Sequence, residues 1–412
     1  MSGTSNQTHQ IRLSTADVLP GMYIAELDRD WLETPFLFQG FQLNDPDDLC
    51  TLRNLCDYVV VDLRRSRSDT SDIPTHSRGA ESLFSGYRLA SDIEDEIKAA
   101  NAGYRSAFNE VRTMLRGVHL GDGFNTDNMR QAVRACLDSV IRNPSALLWL
   151  TRIKHVDQYT AEHCLNVGIQ AMALGRHLGL GRKHIELLGL CGMLHDVGKM
   201  RVDQNILNKP GRVSREEFEH LKLHVTFGRE ELLKDPDMPQ QVVAAAYCHH
   251  ERLDGKGYPL GAPRESLGFY TRLVTIVDAY DAITSMRCYS AGKSSAAALK
   301  ILYDNRGTQF DEKLVVKFIE CIGLYPPGAL VEMNSGEIGV VLSVDPAHRL
   351  QPKVALVRDA SKQPMVQRIV DLAAESSLLP DQRLRIAGCW RMANSESIWR
   401  TSPFATSTWR TS

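Results

Sequence analysis

Long apolar runs are missing from this 412-residue sequence, and no segment approaches the roughly 20 apolar residues that a membrane-spanning helix needs. The N-terminal segment is polar and lacks the apolar core of a signal peptide. Charge of one sign is not in excess either, because the net charge is −2 at pH 7. We therefore expect a cytoplasmic protein with no membrane span, and the composition does not favour a nucleic-acid-binding or membrane-surface protein.

Paired cysteines are missing as well. The nine cysteines are scattered singly along the chain, and none forms a Cys-x-x-Cys pair. In a reducing compartment such residues serve as small apolar core residues. We therefore interpret them as packing residues rather than catalytic or redox-active thiols.

The domain organisation can be predicted from changes of pattern along the chain. The length and the hydrophobic fraction of 43% suit two or three globular domains. β-branched residues dominate positions 58–63 and predict a strand, whereas most of the chain after residue 80 has helical periodicity. The predicted fold is mainly α, with a small α/β N-terminal domain at 1–64, a polar linker at 65–80, a helical connector at 81–150 that is broken at 117–123, a helical domain at 151–324, a small β extension at 325–375, and a tail at 376–412 whose end we expect to be disordered.

Three local patterns predict single elements. Asp45 and the acidic residues after it open a short helix before the predicted strand, with leucines on one face. Ser214, with a glutamate three residues later, forms a capping box that opens a helix containing His224. Apolar residues on both sides of 334–336 predict a hairpin, and 354–357 suits a third strand.

Five histidines and two aspartates lie in or beside apolar helical runs, where polar side chains are costly to bury unless something satisfies them. A single buried histidine is more often a hydrogen-bonded core residue than a ligand, so each position alone is ambiguous. The joint pattern favours a metal centre, because a metal ion satisfies imidazole nitrogens and carboxylate oxygens together. The candidate ligands are His163, His195, Asp196, His224, His249, His250 and Asp278.

The number of candidate ligands indicates two metal ions. Seven ligands exceed the roughly four to six that one such ion takes, so we expect Asp196 to bridge two ions. Neutral imidazoles and carboxylates suit divalent iron, manganese, nickel or zinc. Two ions a few ångströms apart form the usual clamp for phosphoester hydrolysis, since they activate water and stabilise charge on the phosphate oxygens.

Several motifs of the chain resemble those of the HD-GYP subfamily of the HD phosphohydrolase superfamily, and they occur in the right order. The resemblance implies an HD-type helical bundle with two or three metal ions, often iron or manganese, that hydrolyses cyclic di-GMP to pGpG or to GMP. The motifs are HCLNV at 163–167, HDVGK at 195–199, the H-x-x-x-G from His224 to Gly228, HHERLDGKGYP at 249–259 and VDAYDAITSMRCY at 277–289.

The resemblance also assigns roles to single residues. It makes the seven candidates the metal ligands, with Asp196 and Lys199 as catalytic groups and Lys199 as a cation near the scissile phosphate. By itself, Gly-Tyr-Pro predicts only a turn. The resemblance places it in a loop beside the site that binds substrate and also serves contacts with signalling-protein partners. The implied substrate-binding residues are Lys199, Arg287, Gly257, Tyr258 and Pro259, with Arg287 on a phosphate of the nucleotide.

Three positions depart from the family pattern. The family usually continues from its arginine with proline, tyrosine and a basic residue, but Arg287 is followed by Cys288, Tyr289 and Ser290, so we expect weaker substrate binding. Three-metal members carry a glutamate one helical turn before the first histidine, where this chain has Tyr159. Because a phenol does not readily replace a carboxylate, we expect two metal ions rather than three.

Three functions remain open from the sequence. The first is a cyclic di-GMP phosphodiesterase, and the second is an HD phosphohydrolase that acts on another nucleotide such as ppGpp or a dNTP. The third is a non-catalytic receptor for cyclic di-GMP or for a partner domain. The intact Gly-Tyr-Pro motif argues against the second, and the complete set of seven ligands argues against the third. The segment 10–64 resembles an uncharacterised N-terminal domain of the same proteins, for which we expect a regulatory or docking role. The segment 325–372 resembles a C-terminal extension that is common in these proteins.

Overall fold

A computed structural model describes residues 10–15, 18, 22–29, 41–43, 52, 55–62, 87, 89–152, 159–209, 211–285, 293–345, 348–374 and 383–389. The chain divides into two compact units, Met1–Glu81 and Ser82–Ser412. Arg287 and its neighbours up to Ser290, which we predicted to affect substrate binding, lie outside the described residues. Within the described ranges, no helix has both the length and the apolar character to cross a bilayer.

The N-terminal unit contains an antiparallel sheet with the strand order β1-β4-β2-β3. The strand predicted at 58–63 is confirmed as β4, where Val59 and Val61 alternate into a small core with Met22 and Ile24. The short helix that the sequence predicts before this strand lies mostly outside the described residues. The strands are β1 (Gln10–Ser14), β2 (Tyr23–Leu27), β3 (Phe41–Gln42) and β4 (Tyr58–Asp62).

The second unit is mainly helical, as predicted. The helices of the predicted connector share one hydrophobic core with those of the metal-binding segment, so these segments pack as one body. The helices are α1 (Ile93–Leu120), α2 (Thr126–Arg142), α3 (Pro144–Leu150), α4 (Tyr159–His177), α5 (Arg182–Leu194), α6 (Gln204–Leu207), α7 (Arg215–Lys222), α8 (His224–Leu232), α9 (Gln240–Cys248), α10 (Phe269–Thr284), α11 (Ser295–Asp304) and α12 (Glu312–Ile322).

The first helix ends later than the sequence predicts. We expected a break from residue 117, but α1 continues through Gly117 and ends at Leu120. Gly121 terminates it with a positive φ of 84°, and its N–H bonds back to the carbonyls of Gly117 and Val118. A glycine in the left-handed conformation is a common helix terminator because it satisfies the last carbonyls without a Cβ clash.

The helix that the sequence opens at Ser214 is shorter than predicted. Its capping box is confirmed, since the Ser214 side chain accepts from Glu217 N–H and the Glu217 side chain accepts from Ser214 N–H. However, α7 ends at Lys222, and His224 begins a separate helix, α8. The break falls at Leu223, whose N–H bonds to the His220 carbonyl three residues back rather than four.

The close approach of α4 and α5 depends on facing glycines. A Cβ added to Gly192 would lie 2.6 Å from the Cα of Gly168, a distance that real side chains do not adopt. The two helices therefore pack backbone against backbone at this point. This packing brings the His163 and His195 rings to a centroid separation of 5.1 Å.

The C-terminal segment forms a five-stranded antiparallel sheet with the order β8-β7-β6-β5-β9. The predicted hairpin and third strand are confirmed as β5, β6 and β7. Two further strands were not predicted, and β9 lies in the segment that we expected to be a tail. β9 pairs with β5 by backbone hydrogen bonds, a long-range contact that a short run such as Ile-Ala-Gly-Cys does not signal. The strands are β5 (Leu330–Met333), β6 (Ile338–Ser343), β7 (Lys353–Arg358), β8 (Pro364–Asp371) and β9 (Ile386–Cys389).

An ion pair between the buried Glu96 and the partly exposed Arg142 joins α1 to the end of α2. Both oxygens of the Glu96 carboxylate accept from the Arg142 guanidinium at 2.8 Å, and Ser91 donates to the same carboxylate at 2.9 Å. Burial alone would raise the pKa of Glu96, but the hydrogen bonds from Arg142 and neighbouring serines lower it overall. Its stabilising contribution is therefore present above the unfolded-state pKa and is lost as the pH falls through the folded-state pKa.

We predict that Glu96→Gln lowers the free energy of unfolding by about 1–3 kcal/mol at pH 7, because the charge-assisted hydrogen bonds to a buried carboxylate are lost. Urea titration at pH 7 and at low pH measures this difference. Asp304→Asn is the matched control, since its exposed pair with Lys300 on α11 should contribute about 0.3–0.5 kcal/mol. A Glu96→Gln variant as stable as the control would contradict the prediction.

Candidate metal centre

The seven predicted ligands lie where helices of the second unit begin, end or face the interior. Their side chains are buried, apart from His250, which is partly exposed. Helix ends can place polar side chains at one point while the apolar faces of the helices pack into the core. His163 lies near the start of α4, His195 caps the C-terminus of α5 with Asp196 next to it, His224 begins α8, His249 caps the end of α9 with His250 next to it, and Asp278 lies in α10.

Asp196 lies at the middle of this cluster. Its Oδ2 atom is 3.5 Å from Nε2 of His163 and 3.3 Å from Nε2 of His195. Its Oδ1 atom is 3.4 Å from Nε2 of His224 and 3.7 Å from Nε2 of His249. The two carboxylate oxygens therefore face two different pairs of imidazoles.

The remaining side chains complete two groups of potential ligands around Asp196. Nε2 of His163 is 3.0 Å from Oδ1 of Asp278, and the His249 and His250 rings are 4.1 Å apart. Within each group the potential ligand atoms lie within 4.8 Å of one another. The structure thus brings together all seven residues that the sequence singled out. The groups are His163, His195 and Asp278, and His224, His249 and His250.

Hydrogen bonds at Nδ1 fix how four of the imidazoles are presented. A carbonyl or carboxylate oxygen can only accept, so each Nδ1 carries a hydrogen and each Nε2 faces the cluster. The Nδ1 partners are Asp281 Oδ2 for His163 at 2.8 Å, the Gly192 carbonyl for His195 at 2.7 Å, the Leu221 carbonyl for His224 at 2.7 Å, and the Ala245 and Ala246 carbonyls for His249 at 3.1 Å.

Two buried polar atoms of the cluster support a metal ion there. Nε2 of His195 and Oδ1 of Asp196 are inaccessible to water, and neither makes a hydrogen bond within the described part of the chain. A buried polar atom without a partner costs about 1–3 kcal/mol. Divalent ions bind imidazole nitrogen and carboxylate oxygen. The residues present therefore fit a divalent metal centre.

The electrostatics of the cluster favour the protonation states that metal ligands need. Burial lowers the pKa of His224 to about 3 and also lowers that of His195, so these imidazoles are neutral at pH 7. Burial opposes ionisation of Asp196, but the charge of Lys199, with smaller contributions from the neighbouring imidazoles, outweighs it and holds the pKa of this carboxyl group well below its usual value. A neutral imidazole and an ionised carboxylate are the forms that bind metal.

His163 differs from the other histidines. Burial would lower its pKa, but hydrogen bonds to Asp278 and Asp281 outweigh burial and raise the pKa to about 9. Without a metal, a proton on Nε2 is therefore held between the ring and Asp278. Binding of a metal ion at Nε2 would release that proton, as is usual for protein metal sites.

Asp281 is a residue of the site that the sequence analysis missed. Only 1% of its surface is exposed, and it accepts hydrogen bonds from Nδ1 of His163 at 2.8 Å and from the Ser285 hydroxyl at 3.0 Å. The amide of Gln170 also donates to it, at 3.3 Å. The available signal was its spacing, because a residue three positions after Asp278 in a helix shares its face.

Lys199 lies next to the cluster because of a glycine contact. A Cβ on Gly198 would lie 2.0 Å from the His224 carbonyl oxygen and 2.3 Å from the Gly228 nitrogen. The 3-10 turn Val197–Arg201 therefore packs directly on α8, which explains why both motifs contain glycine. The Lys199 ammonium contacts the Asp196 carboxylate, and 22% of its side chain remains exposed.

The Gly-Tyr-Pro loop folds over the end of α9. The buried Glu251 carboxylate, whose role the sequence analysis missed, accepts from Leu260 N–H at 2.6 Å and Ala262 N–H at 3.0 Å. A Cβ on Gly257 would lie 2.5 Å from the Glu251 Cα, so only glycine fits. The Tyr258 ring stacks on the His250 ring at 4.7 Å, which places this loop beside the cluster.

Three known families match successive parts of the chain. A family described as an HD domain matches residues 150–314. A domain of unknown function, DUF3391, matches residues 10–129. A KOW domain associated with the HD domain matches residues 330–381.

Similar proteins carry the same activity class in their names. The chain is 33% identical over 399 residues to cyclic di-GMP phosphodiesterase PA4108 of Pseudomonas aeruginosa. The matched region covers 94% of this chain and 95% of that protein. It is 33% identical to the cyclic di-GMP phosphodiesterase response regulator RpfG of Xanthomonas campestris, over 42% of this chain and 43% of that protein. It is 30% identical to 3'3'-cGAMP-specific phosphodiesterase 3 of Vibrio cholerae, over 41% of this chain and 36% of that protein. With its histidine–aspartate cluster, its Gly-Tyr-Pro loop and a relative that it matches over nearly the whole length, the chain belongs to the HD-GYP family of HD-domain phosphohydrolases.

Proposed function

We propose that this protein is a metal-dependent phosphodiesterase that hydrolyses cyclic di-GMP and opens its ring to give pGpG. The observation that carries the proposal is the position of Asp196 between two groups of potential metal ligands. The names of the relatives support the substrate, since two of the three compared above are called cyclic di-GMP phosphodiesterases.

The proposed metal site uses all seven residues. His163, His195 and Asp278 would hold one ion, and His224, His249 and His250 the other. Asp196 would contribute one oxygen to each ion. Iron and manganese are the proposed metals, and nickel and zinc suit the same ligands. When bound, the two ions supply positive charge that activates water and stabilises the charge developing on the phosphate oxygens.

The chain's own residues complete the site for a phosphodiester. Lys199 contacts Asp196 and is partly exposed, so its ammonium can also bind a phosphate oxygen. The backbone of the Gly-Tyr-Pro loop is fixed by Glu251, which holds Tyr258 at the edge of the cluster. We propose that the substrate phosphate binds between Lys199 and Tyr258, with Arg287 as a further phosphate contact.

A second cyclic dinucleotide is a candidate substrate because one relative is named a 3'3'-cGAMP-specific phosphodiesterase. This molecule has the same phosphodiester ring and differs in one base. Metal ions held by the cluster would act on the phosphate, which is the same in both molecules, so they would not distinguish the bases. A non-catalytic receptor would not need seven intact ligands.

We predict that the metal-loaded protein converts cyclic di-GMP to pGpG and that Asp196→Ala abolishes the reaction. Loss of a shared ligand should lower the rate at least about 1,000-fold, since the metal ions supply several kcal/mol of transition-state stabilisation. Chromatography of the products and metal analysis of the purified protein provide the measurements. Asp138→Ala, at an exposed ion pair with Arg182, is the control. Near-normal turnover by Asp196→Ala, or an inactive wild-type protein with full metal content, would contradict the proposal.

We predict that Asp281→Asn lowers metal affinity about 10- to 100-fold, because the amide no longer provides the charge that orients His163 and raises its basicity. Competition with a chelator of known affinity measures the change. Thermal unfolding of the metal-free variant separates this effect from loss of the fold. Unchanged metal affinity would show that Asp281 only packs the helices.

We predict two metal ions per chain. Tyr159, at the start of α4, lies one helical turn before His163, where a carboxylate would be needed for a third ion. Metal stoichiometry of anaerobically purified protein tests the number, and Tyr159→Glu should raise it toward three. Three equivalents in the wild-type protein would refute the prediction. Tyr159→Phe is the control and should retain two.

A further inference from the structure

One exposed aromatic ring lies close to the metal centre without being part of it. Phe218, on α7, has 45% of its surface exposed. It sits edge-on to the Tyr258 ring at a centroid distance of 6.5 Å and an interplanar angle of 79°. Tyr258 in turn stacks on His250. The rings of Phe218 and Tyr258 therefore form a path of aromatic surface that leads outward from the cluster.

A lysine lies beside both of these rings. The Nζ atom of Lys222 is 5.1 Å from the centroid of Phe218 and 5.4 Å from that of Tyr258, within the range of a cation–π contact. Lys222 also pairs with the exposed carboxylate of Glu219 at 2.8 Å. An exposed pair of this kind contributes little, so the ammonium can exchange this partner for an anion.

The substrate class explains why such a surface would lie there. A cyclic dinucleotide has two phosphates and two bases, and only one phosphodiester can occupy the metal centre at a time. The other parts of the ligand must be held nearby for the reacting phosphate to be oriented. Bases stack on aromatic side chains, and phosphates pair with lysine. Phe218, Lys222 and Tyr258 together offer both kinds of contact.

We propose that Phe218 and Lys222, here called the α7 subsite, bind a nucleobase and the non-reacting phosphate of the cyclic dinucleotide on the outer side of Tyr258. The base stacks on the exposed face of Phe218, and Lys222 pairs with the phosphate. The subsite rests on the proposed function and specifies which residues hold the substrate. Because every base has a π-face, the subsite contributes affinity without selecting guanine.

The kinetic test compares variants at position 218 with cyclic di-GMP as substrate. Phe218→Ala and Phe218→Leu should raise KM about 5- to 30-fold with little change in kcat, because stacking on one ring is lost before the chemical step. Phe218→Trp should keep KM near the wild-type value. Leucine preserves apolar packing but cannot stack, so this pair of variants separates stacking from packing. Tyr303→Ala on α11 is the matched control, since Tyr303 is 44% exposed and has Arg306 over its ring.

A binding test gives a readout without catalysis. In the presence of EDTA, cyclic di-GMP should quench the fluorescence of the Phe218→Trp variant more than that of the wild-type protein, because the added indole stacks on the base. Adding Lys222→Met to the Phe218→Trp variant should lower the affinity for cyclic di-GMP about 10-fold. It should also reduce the dependence of this affinity on salt concentration, since one phosphate contact is lost.

The outcomes distinguish the subsite from the proposed function. An active wild-type protein whose KM is unchanged by Phe218→Ala and Phe218→Leu overturns the subsite alone. In that case, the exposed Phe218 ring would be assigned to contact with a protein partner instead. A Leu variant that behaves like the wild type shows that the ring only packs, and it also overturns the subsite. A wild-type protein that neither binds nor cleaves cyclic di-GMP overturns the proposed function and the subsite with it.

Discussion

The structure of the second unit depends on a buried carboxylate surrounded by imidazoles. Asp196 has no exposed surface, yet its two oxygens face four imidazole Nε2 atoms at 3.3–3.7 Å. The Lys199 ammonium is a nearby positive charge, and it contacts the Oδ2 atom of Asp196. A buried ion with incomplete compensation is strongly destabilising. A divalent cation bound by the carboxylate and the imidazoles would remove this penalty, and the surrounding helices place the ligand atoms within 4.8 Å of one another, as such a site requires.

The scaffold holds this arrangement through backbone contacts rather than through the ligands themselves. Gly168 and Gly192 let α4 and α5 approach closely, and Gly198 lets the following turn pack on α8. Backbone carbonyls and Asp281 then fix the imidazole tautomers. Ligands that are oriented before the metal arrives lose little conformational entropy on binding. The same backbone packing makes the site sensitive to substitutions that touch no ligand.

The residues of the site that the sequence could reveal are those placed by local pattern. Each candidate ligand stands at the end or on the face of an apolar helix, where an unexplained polar residue is visible in the sequence alone. Asp281 and Glu251 were missed because their roles depend on partners that the fold brings close. Asp281 is 118 residues from His163 in the sequence. Glu251 holds backbone groups of a loop rather than a ligand.

In the fold, too, features that depend on neighbouring residues could be predicted, whereas features that depend on distant segments could not. The capping box at Ser214 and the strand at Tyr58–Asp62 depend on neighbouring residues, and both were predicted correctly. The break between α7 and α8 was not, because nothing in the local sequence marks Leu223 as a helix end. Strand β9 was missed for a related reason, since its pairing with β5 connects segments separated by more than fifty residues.

The central claim is that Asp196 is shared by two metal ions. Anomalous scattering from crystals of anaerobically purified protein, collected at the absorption edge of the bound metal, tests it most directly. We expect two peaks, one beside His163, His195 and Asp278 and the other beside His224, His249 and His250, with one carboxylate oxygen of Asp196 bound to each. A single peak, or two peaks of which only one contacts Asp196, would contradict the account.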